Sequence, residues 1–180
     1  MTQAARIYGG SLYDLAAEER ITDSMLEQLR EVRQLFFENP DYPRLLSEPS
    51  IPVEERKGLI DKAFSEGCEP YLINFIKLLC DRGLLREFGG CCEEFIRRYN
   101  VDNGIAEAVV TSAVPLSKEQ EEALKDKLCR LSGKKVHLTS RIDKSVVAGL
   151  RVEMEGKQLD GTVQGRLSGL SRKIGETVLE

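Results

Sequence analysis

The 180-residue chain has little of three things that would announce a function. It has a single histidine, His137, with no cysteine or second histidine at metal-ligand spacing beside it. It has no run of about 18 apolar residues, so no segment reads as a membrane span. It has no surplus of positive charge: 26 Lys and Arg face 30 Asp and Glu, for a net charge of -4. The basic residues are interspersed with acids, as in EERK, and not clustered as a phosphate backbone requires, which argues against nucleic acid as a partner. The five cysteines, Cys68, Cys80, Cys91, Cys92 and Cys129, are odd in number and irregular in spacing, which speaks against structural disulfides. The opening residues MTQAARIYGGSLYDLA lack the basic region, apolar block and cleavage site of a signal peptide, so a reducing compartment is expected.

Catalytic signatures are missing as well. The segment LSGKKV invites a phosphate-loop reading, but that motif needs glycine at position 128 and Ser or Thr at 135, where Leu128 and Lys135 stand. No GxGxxG or GxSxG occurs. Cys91-Cys92 is not CxxC, falls in mid-helix and places Cys91 on an apolar stripe, so buried small hydrophobes are expected rather than a redox pair. No catalytic, metal or cofactor-binding residue is expected. Function should lie on surfaces where apolar or small residues appear without a core reason.

The first hundred residues read as six helices with short connections. The first runs from about Ala4 to Glu18, with Tyr8, Leu12 and Leu15 on one face. The second follows Thr22-Asp23-Ser24, all good N-cap residues, and carries Met25, Leu29, Val32 and Phe36. A short piece lies between prolines. Pro52 fits the first turn of a fourth helix with Val53, Ile60, Ala63 and Phe64 inward, and Pro70 opens a fifth. The fifth, YLINFIKLLCDRG, is apolar on nearly all sides. It is either central and buried or it lines a groove for a partner helix, shared with the first helix. The sixth carries Leu84, Phe88, Cys91, Cys92, Phe95 and Tyr99 on one face.

After the turn-rich stretch Asn100–Gly104 the period changes from 3.6 to 2. Residues 105–114 read as a central strand with small apolar residues on both faces. Ser117 and Gln120 have capping-box spacing and start a helix with Leu124, Leu128 and Leu131 as its stripe. Strands follow with Val136, Leu138 and Ile142 to one side, then with Leu150, Val152 and Met154, then a short one around Gln158–Asp160. A last helix is expected from about Thr162, with Val163, Leu167, Leu170, Ile174 and Val178 in one stripe. Gly165 and Gly169 fall opposite that stripe, and Gly161 extends their line. They would leave a side-chain-free strip flanked by Arg166, Arg172 and Lys173, onto which another backbone can dock closely. The expected fold class is α+β in two domains: an N-terminal six-helix bundle, residues 1–104, and a small C-terminal α+β domain, residues 105–180.

These features, in order, resemble one family. Tyr8-Gly-Gly-Ser-Leu12-Tyr-Asp-Leu15-Ala16 resembles the opening helix of the delta subunit of bacterial F-type ATP synthase, whose mitochondrial relative is the oligomycin-sensitivity-conferring protein. Leu46-Ser-Glu-Pro49 with Lys57 resembles its proline link, and Asn74-Phe-Ile-Lys-Leu-Leu79 with Arg82-Gly83 its fifth helix. Val110-Thr-Ser-Ala113-Val-Pro-Leu116-Ser resembles its strand-to-helix join. Ile142-Asp143, Val147-Ala-Gly149-Leu, Asp160-Gly-Thr-Val163 and Arg166-Leu167 resemble its C-terminal signature. Gly9 and Gly10 stand where the family has alanines, which predicts a weaker first helix, and Ala148 stands where it often has glycine.

The resemblance implies a non-catalytic stator subunit, one copy per complex, that ties the catalytic head to the peripheral stalk so that ion flow is coupled to ATP synthesis. It implies no cofactor and a peripheral place on the cytoplasmic face of the bacterial membrane. Its helical domain would bind the N-terminal segment of an alpha subunit through Tyr8, Leu12, Leu15, Phe75 and Leu78. Its C-terminal domain would bind the b subunits of the stalk, for which Gly165, Arg166, Gly169, Arg172 and Lys173 are the candidates. The competing readings are a free-standing helical adaptor for amphipathic partner helices and, further off, an enzyme using Cys91 or Cys92.

Overall fold

A computed structural model describes residues 1–146, 149–154 and 156–160. The chain mixes helices with one small sheet and divides into two compact units, Met1–Tyr99 and Asn100–Glu180. The first unit is built from α1 (Gln3–Glu18), α2 (Thr22–Glu38), α3 (Asp41–Leu46), α4 (Val53–Phe64), α5 (Pro70–Asp81), a 3-10 turn (Leu85–Glu87) and α6 (Phe88–Asp102). These helices share one apolar cluster, in which Met25, Leu29, Leu46, Ile60, Leu72, Ile76, Leu79 and Phe95 are fully buried. Each such side chain contributes about 1.5–3 kcal/mol by leaving water, which holds short helices that would be marginal alone.

Local signals explain some of the helix ends. Thr2 caps α1 by accepting the Ala5 N–H at 3.2 Å. Pro70 occupies the first turn of α5. The Thr22-Asp23-Ser24 cluster, expected to cap α2, does not: Ile21 is the N-cap residue and makes no side-chain cap bond. Asp23 and Ser24 are recruited elsewhere, Asp23 accepting the Tyr99 hydroxyl at 2.6 Å and Ser24 donating to Glu69 at 3.2 Å. Two further expectations fail in the same way. Ala63 is exposed, because α4 turns its Ile60–Phe64 edge to the core and the methyl of Ala63 falls off it. Leu84 precedes α6 instead of joining it, and the 3-10 turn inserts Leu85 into the core in its place.

The glycines of α1 have a packing role that the sequence does not reveal. A Cβ built on Gly9 would lie 2.4 Å from the Cys91 carbonyl oxygen and 2.9 Å from its Cα, and one on Gly90 would meet the Ala5 Cβ at 2.9 Å. Helices α1 and α6 therefore cross with backbone nearly touching backbone. Gly9 is required there, which corrects the expectation that it only weakens α1.

In the second unit, α6 continues through Asn100–Asp102, so the expected turn shortens to Asn103–Gly104, where Gly104 takes φ +61°. β1 (Ile105–Ser112), α7 (Lys118–Ser132), β2 (Lys135–Ile142), β3 (Leu150–Met154) and β4 (Lys157–Asp160) follow, in sheet order β2-β1-β3-β4. β1 pairs with β2 in parallel and with β3 antiparallel. A parallel neighbour needs a crossover, and α7 supplies it. The capping box is formed: Ser117 accepts the Gln120 N–H at 3.3 Å, and Gln120 accepts the Ser117 N–H at 3.0 Å. β1 is central by pairing but is not buried on both faces. Ala106, Ala108, Val110 and Ser112 face the core, while Glu107 on the other face is exposed. Leu131 and Ile142, expected inward, are 67% and 57% exposed, because each lies at the end of its element beyond the small core around Leu128, Val136 and Val152. The last helix and its glycine line, Gly161, Gly165 and Gly169, lie outside the described residues, as do Val147 and Ala148.

Candidate functional site: an apolar groove between α1 and α5

The apolar all-round pattern of α5 resolves into three faces. Leu72, Ile76, Leu79 and Cys80 enter the core. Lys77 and Asp81 pair with α4, Lys77 to Asp61 at 2.6 Å and Asp81 to Lys57 at 3.0 Å. The third face carries Tyr71, Asn74, Phe75 and Leu78, and it lines a groove of about 220 Å³ opposite Tyr8, Ser11, Leu12 and Leu15 of α1. Both helices contribute residues at i, i+3, i+4 and i+7, so two matching helical ridges run along the same trough. Leu12 and Phe75 form its buried floor. Tyr8 and Leu15 are half-buried walls, and Tyr71 and Leu78 stand exposed on the rim.

The structure thus gathers all five sequence-derived candidates of the helical region, Tyr8, Leu12, Leu15, Phe75 and Leu78, into one surface. The other five, Gly165, Arg166, Gly169, Arg172 and Lys173, lie outside the described residues. Three lining residues were not singled out from sequence: Ser11, Tyr71 and Asn74. Tyr71 stands one turn before Phe75 and two before Leu78, and that spacing is the signal that places it on this face. Its phenol is also perturbed. The nearby Glu19 carboxylate, to which the phenol is hydrogen-bonded, raises it above the ordinary tyrosine range.

No histidine, cysteine or carboxylate lines this trough. Its capacity is to take an apolar ridge out of water, with Ser11, Asn74 and the Tyr71 hydroxyl as polar contacts at the edge. Elsewhere in the helical unit, burial pushes the Cys91 and Cys92 thiols up to about 11 and about 12. Both thiols therefore stay protonated near neutral pH, which disfavours thiolate chemistry at this pair.

Comparison with known proteins decides the family. The model of the ATP synthase delta (OSCP) subunit family matches residues 4–174, nearly the whole chain. The chain belongs to the ATP synthase delta (OSCP) subunit family. ATP synthase subunit delta of Geobacillus sp. (strain WCH70) is 32% identical over 171 residues, covering 94% of this chain and 96% of that protein. ATP synthase subunit delta of Lactiplantibacillus plantarum (strain ATCC BAA-793 / NCIMB 8826 / WCFS1) is 31% identical over 175 residues, covering 97% of this chain and 96% of that protein. The fold matches a chain of the Toxoplasma gondii mitochondrial ATP synthase hexamer with a TM-score of 0.72 at 16% identity, covering 97% of this chain and 98% of that one.

Delta (OSCP) subunits are non-catalytic accessory subunits of the stator of F-type ATP synthase, and the chain is a subunit of that kind rather than an enzyme. Among the described residues no helix is long and apolar enough to cross a membrane.

Proposed function

We propose that the α1–α5 groove seats an amphipathic helix from the N-terminal segment of an alpha subunit, and that the six helices form a bundle serving as the head-side anchor of the stator. The observation that carries this reading is the matched i, i+3, i+4, i+7 register on two adjacent helices around one open trough. A third helix can lay its apolar stripe along it and complete a three-helix contact. The C-terminal domain, residues 105–180, takes the b subunits through the strip at Gly165, Arg166, Gly169, Arg172 and Lys173. One copy on the cytoplasmic face of the membrane joins head to stalk, which is the mechanical condition for ion flow to drive ATP synthesis.

The test of the alpha contact is Tyr8→Ala with Leu78→Asp in the full chain, titrated calorimetrically with an alpha N-terminal peptide. Both side chains reach the surface, so helical content is retained while an anchor is lost and a charge is placed in the trough. The expected loss is about 3 kcal/mol or more of binding. Unchanged affinity would remove this groove from the interface. For the stalk contact, Gly165→Leu with Gly169→Leu is expected to weaken a pull-down by the b subunits. Retention of that pull-down would exclude the strip.

A further inference from the structure

The helical unit has a second, larger groove of about 800 Å³ that shares no residue with the α1–α5 trough. It lies between the end of α2, α3 with the segment after it, and the start of α6. Its floor is the ring pair Phe36–Phe88, with centroids 5.0 Å apart, which is continuous with the buried aromatic cluster through Phe64 and Phe75. On its rim Phe37 is 80% exposed, the most exposed large apolar side chain among the described residues. A partly apolar floor with a solvent-held aromatic at its lip is a surface arranged to cover something else.

The charge around this groove has the opposite sign to the chain as a whole. The net charge is -4, yet the lining carries Arg33, Arg44 and Arg86 against a single carboxylate, Glu48. Glu48 is taken up locally, accepting the N–H and hydroxyl of Ser50. The arginines are only loosely committed. Arg33 reaches Glu93 at 3.4 Å across exposed surface, and Arg44 reaches Asp41 of its own helix at 3.3 Å with both side chains largely in water. Such pairs contribute about 0–1 kcal/mol and exchange readily. Arg86 has no ion pair among the described residues. On α2 the residues Arg30, Arg33, Gln34 and Phe37 fall at i, i+3, i+4 and i+7, so the basic, aromatic face extends beyond the groove along one side of the helix. Pro43 and Pro49 line the opposite wall, where fixed backbone angles reduce the ordering that an occupant must impose.

We propose that this groove is a second protein-docking site, which takes an acidic amphipathic segment of a partner protein. A large apolar side chain of that segment sits on the Phe36–Phe88 floor against Phe37, and its carboxylates pair with Arg33, Arg44 and Arg86. Guanidinium forks suit this task, because they match carboxylates in a bidentate way and lose less hydration than ammonium groups.

The experiment uses the full chain and two synthetic helical peptides of about four turns. One carries Leu and Phe at i, i+3, i+4 and i+7 with Glu at the exposed positions, and the other has Lys in place of every Glu. Binding is read by fluorescence anisotropy. The Glu peptide is expected to bind, to weaken as salt rises to about 0.5 M, and to lose roughly tenfold or more in affinity on Arg33→Glu with Arg86→Glu. Phe37→Ser and the milder Arg86→Gln should weaken it in the same direction, and all four substitutions are at exposed positions whose effect on folding circular dichroism monitors. Tyr8→Ala with Leu78→Asp should leave the salt-sensitive, arginine-dependent part of this binding in place, which separates the site from the α1–α5 trough. Equal binding of both peptides would overturn the proposal, as would loss that follows Tyr8 and Leu78 instead of the arginines. Displacement by sodium phosphate but not by sodium chloride at equal ionic strength would make the groove a small-anion site instead.

Discussion

The crossing of α1 over α6 makes Gly9→Ala an informative substitution, because two effects of opposite sign meet there. Alanine raises helix propensity over glycine by about 1 kcal/mol. Against this, the new Cβ would stand 2.4 Å from the Cys91 carbonyl oxygen, where ordinary contact begins near 3.4 Å. Backbone lies on both sides of that contact, so no rotamer change relieves it and the helices must separate by about 1 Å. Separation loosens Ala5 and Cys91, both buried at the crossing, and strains the edge-to-face pair Tyr13–Phe95 at 5.2 Å. Overpacking of this kind costs about 1–3 kcal/mol, so after the propensity gain the net expectation is a loss of up to about 2 kcal/mol. Two other glycines isolate the terms. At Gly58 of α4 a Cβ meets nothing within 4 Å, so Gly58→Ala should gain about 0.5–1 kcal/mol from propensity alone. At Gly10 the obstacle is the Arg98 guanidinium at 2.4 Å, the far end of a flexible side chain, so Gly10→Ala should fall within about 0.5 kcal/mol of the parent. Urea midpoints with unchanged m-values give the three differences. A Gly9→Ala protein stabilised as much as Gly58→Ala would show that the helices are not in backbone contact.

Glu94 is buried yet ionised: hydrogen bonds from Arg97 at 2.7 Å and Arg98 at 3.0 Å hold its carboxyl down to about 2, against 4.5 ordinarily. A depressed carboxylate stabilises the fold above its unfolded value and loses that contribution as pH falls from about 4.5 towards 2. Glu94→Gln should cost about 2 kcal/mol at neutral pH and flatten the stability curve across that acid window. An unchanged curve would mean that the Arg97–Glu94–Arg98 cluster is not kept in solution. Cys91 and Cys92, with thiols raised by burial, should resist alkylation at pH near 8 until denaturant is added, as mass spectrometry of trypsin fragments can report; prompt native labelling would contradict their burial. Ser117→Ala should cost the second unit about 1 kcal/mol through loss of the α7 cap, and a melt with no shift would show that the capping box is frayed.

The features legible from sequence share a short range. Pro70 at the start of α5, the Ser117–Gln120 box and the change of period after α6 each depend on residues within a few positions of one another, and all are present in the fold. The candidate groove was legible in part for the same reason. Helical spacing alone puts Tyr8, Leu12 and Leu15 on one face, and Phe75 and Leu78 on another. What spacing cannot say is that the two faces meet, since that depends on how α1 and α5 are placed by the rest of the core.

Helix positions, much of the strand alternation and the mix of helices with a small sheet follow from the order of residues, because backbone hydrogen bonding and hydrophobic periodicity are local. The partners of individual side chains do not. Glycine at position 9 reads as a weakness of α1 until α6 lies against it. Arg56 reads as a solvated charge, but it is buried and donates to the carbonyls of Leu46 and Ile51, fixing the turn between α3 and α4. Thr22-Asp23-Ser24 reads as a cap, yet Tyr99 and Glu69 claim two of its members. Leu131 and Ile142 read as core and end in water. In each case the deciding interaction joins residues distant in sequence, and its energy exists only once several helices or strands have packed to bring the two groups within reach.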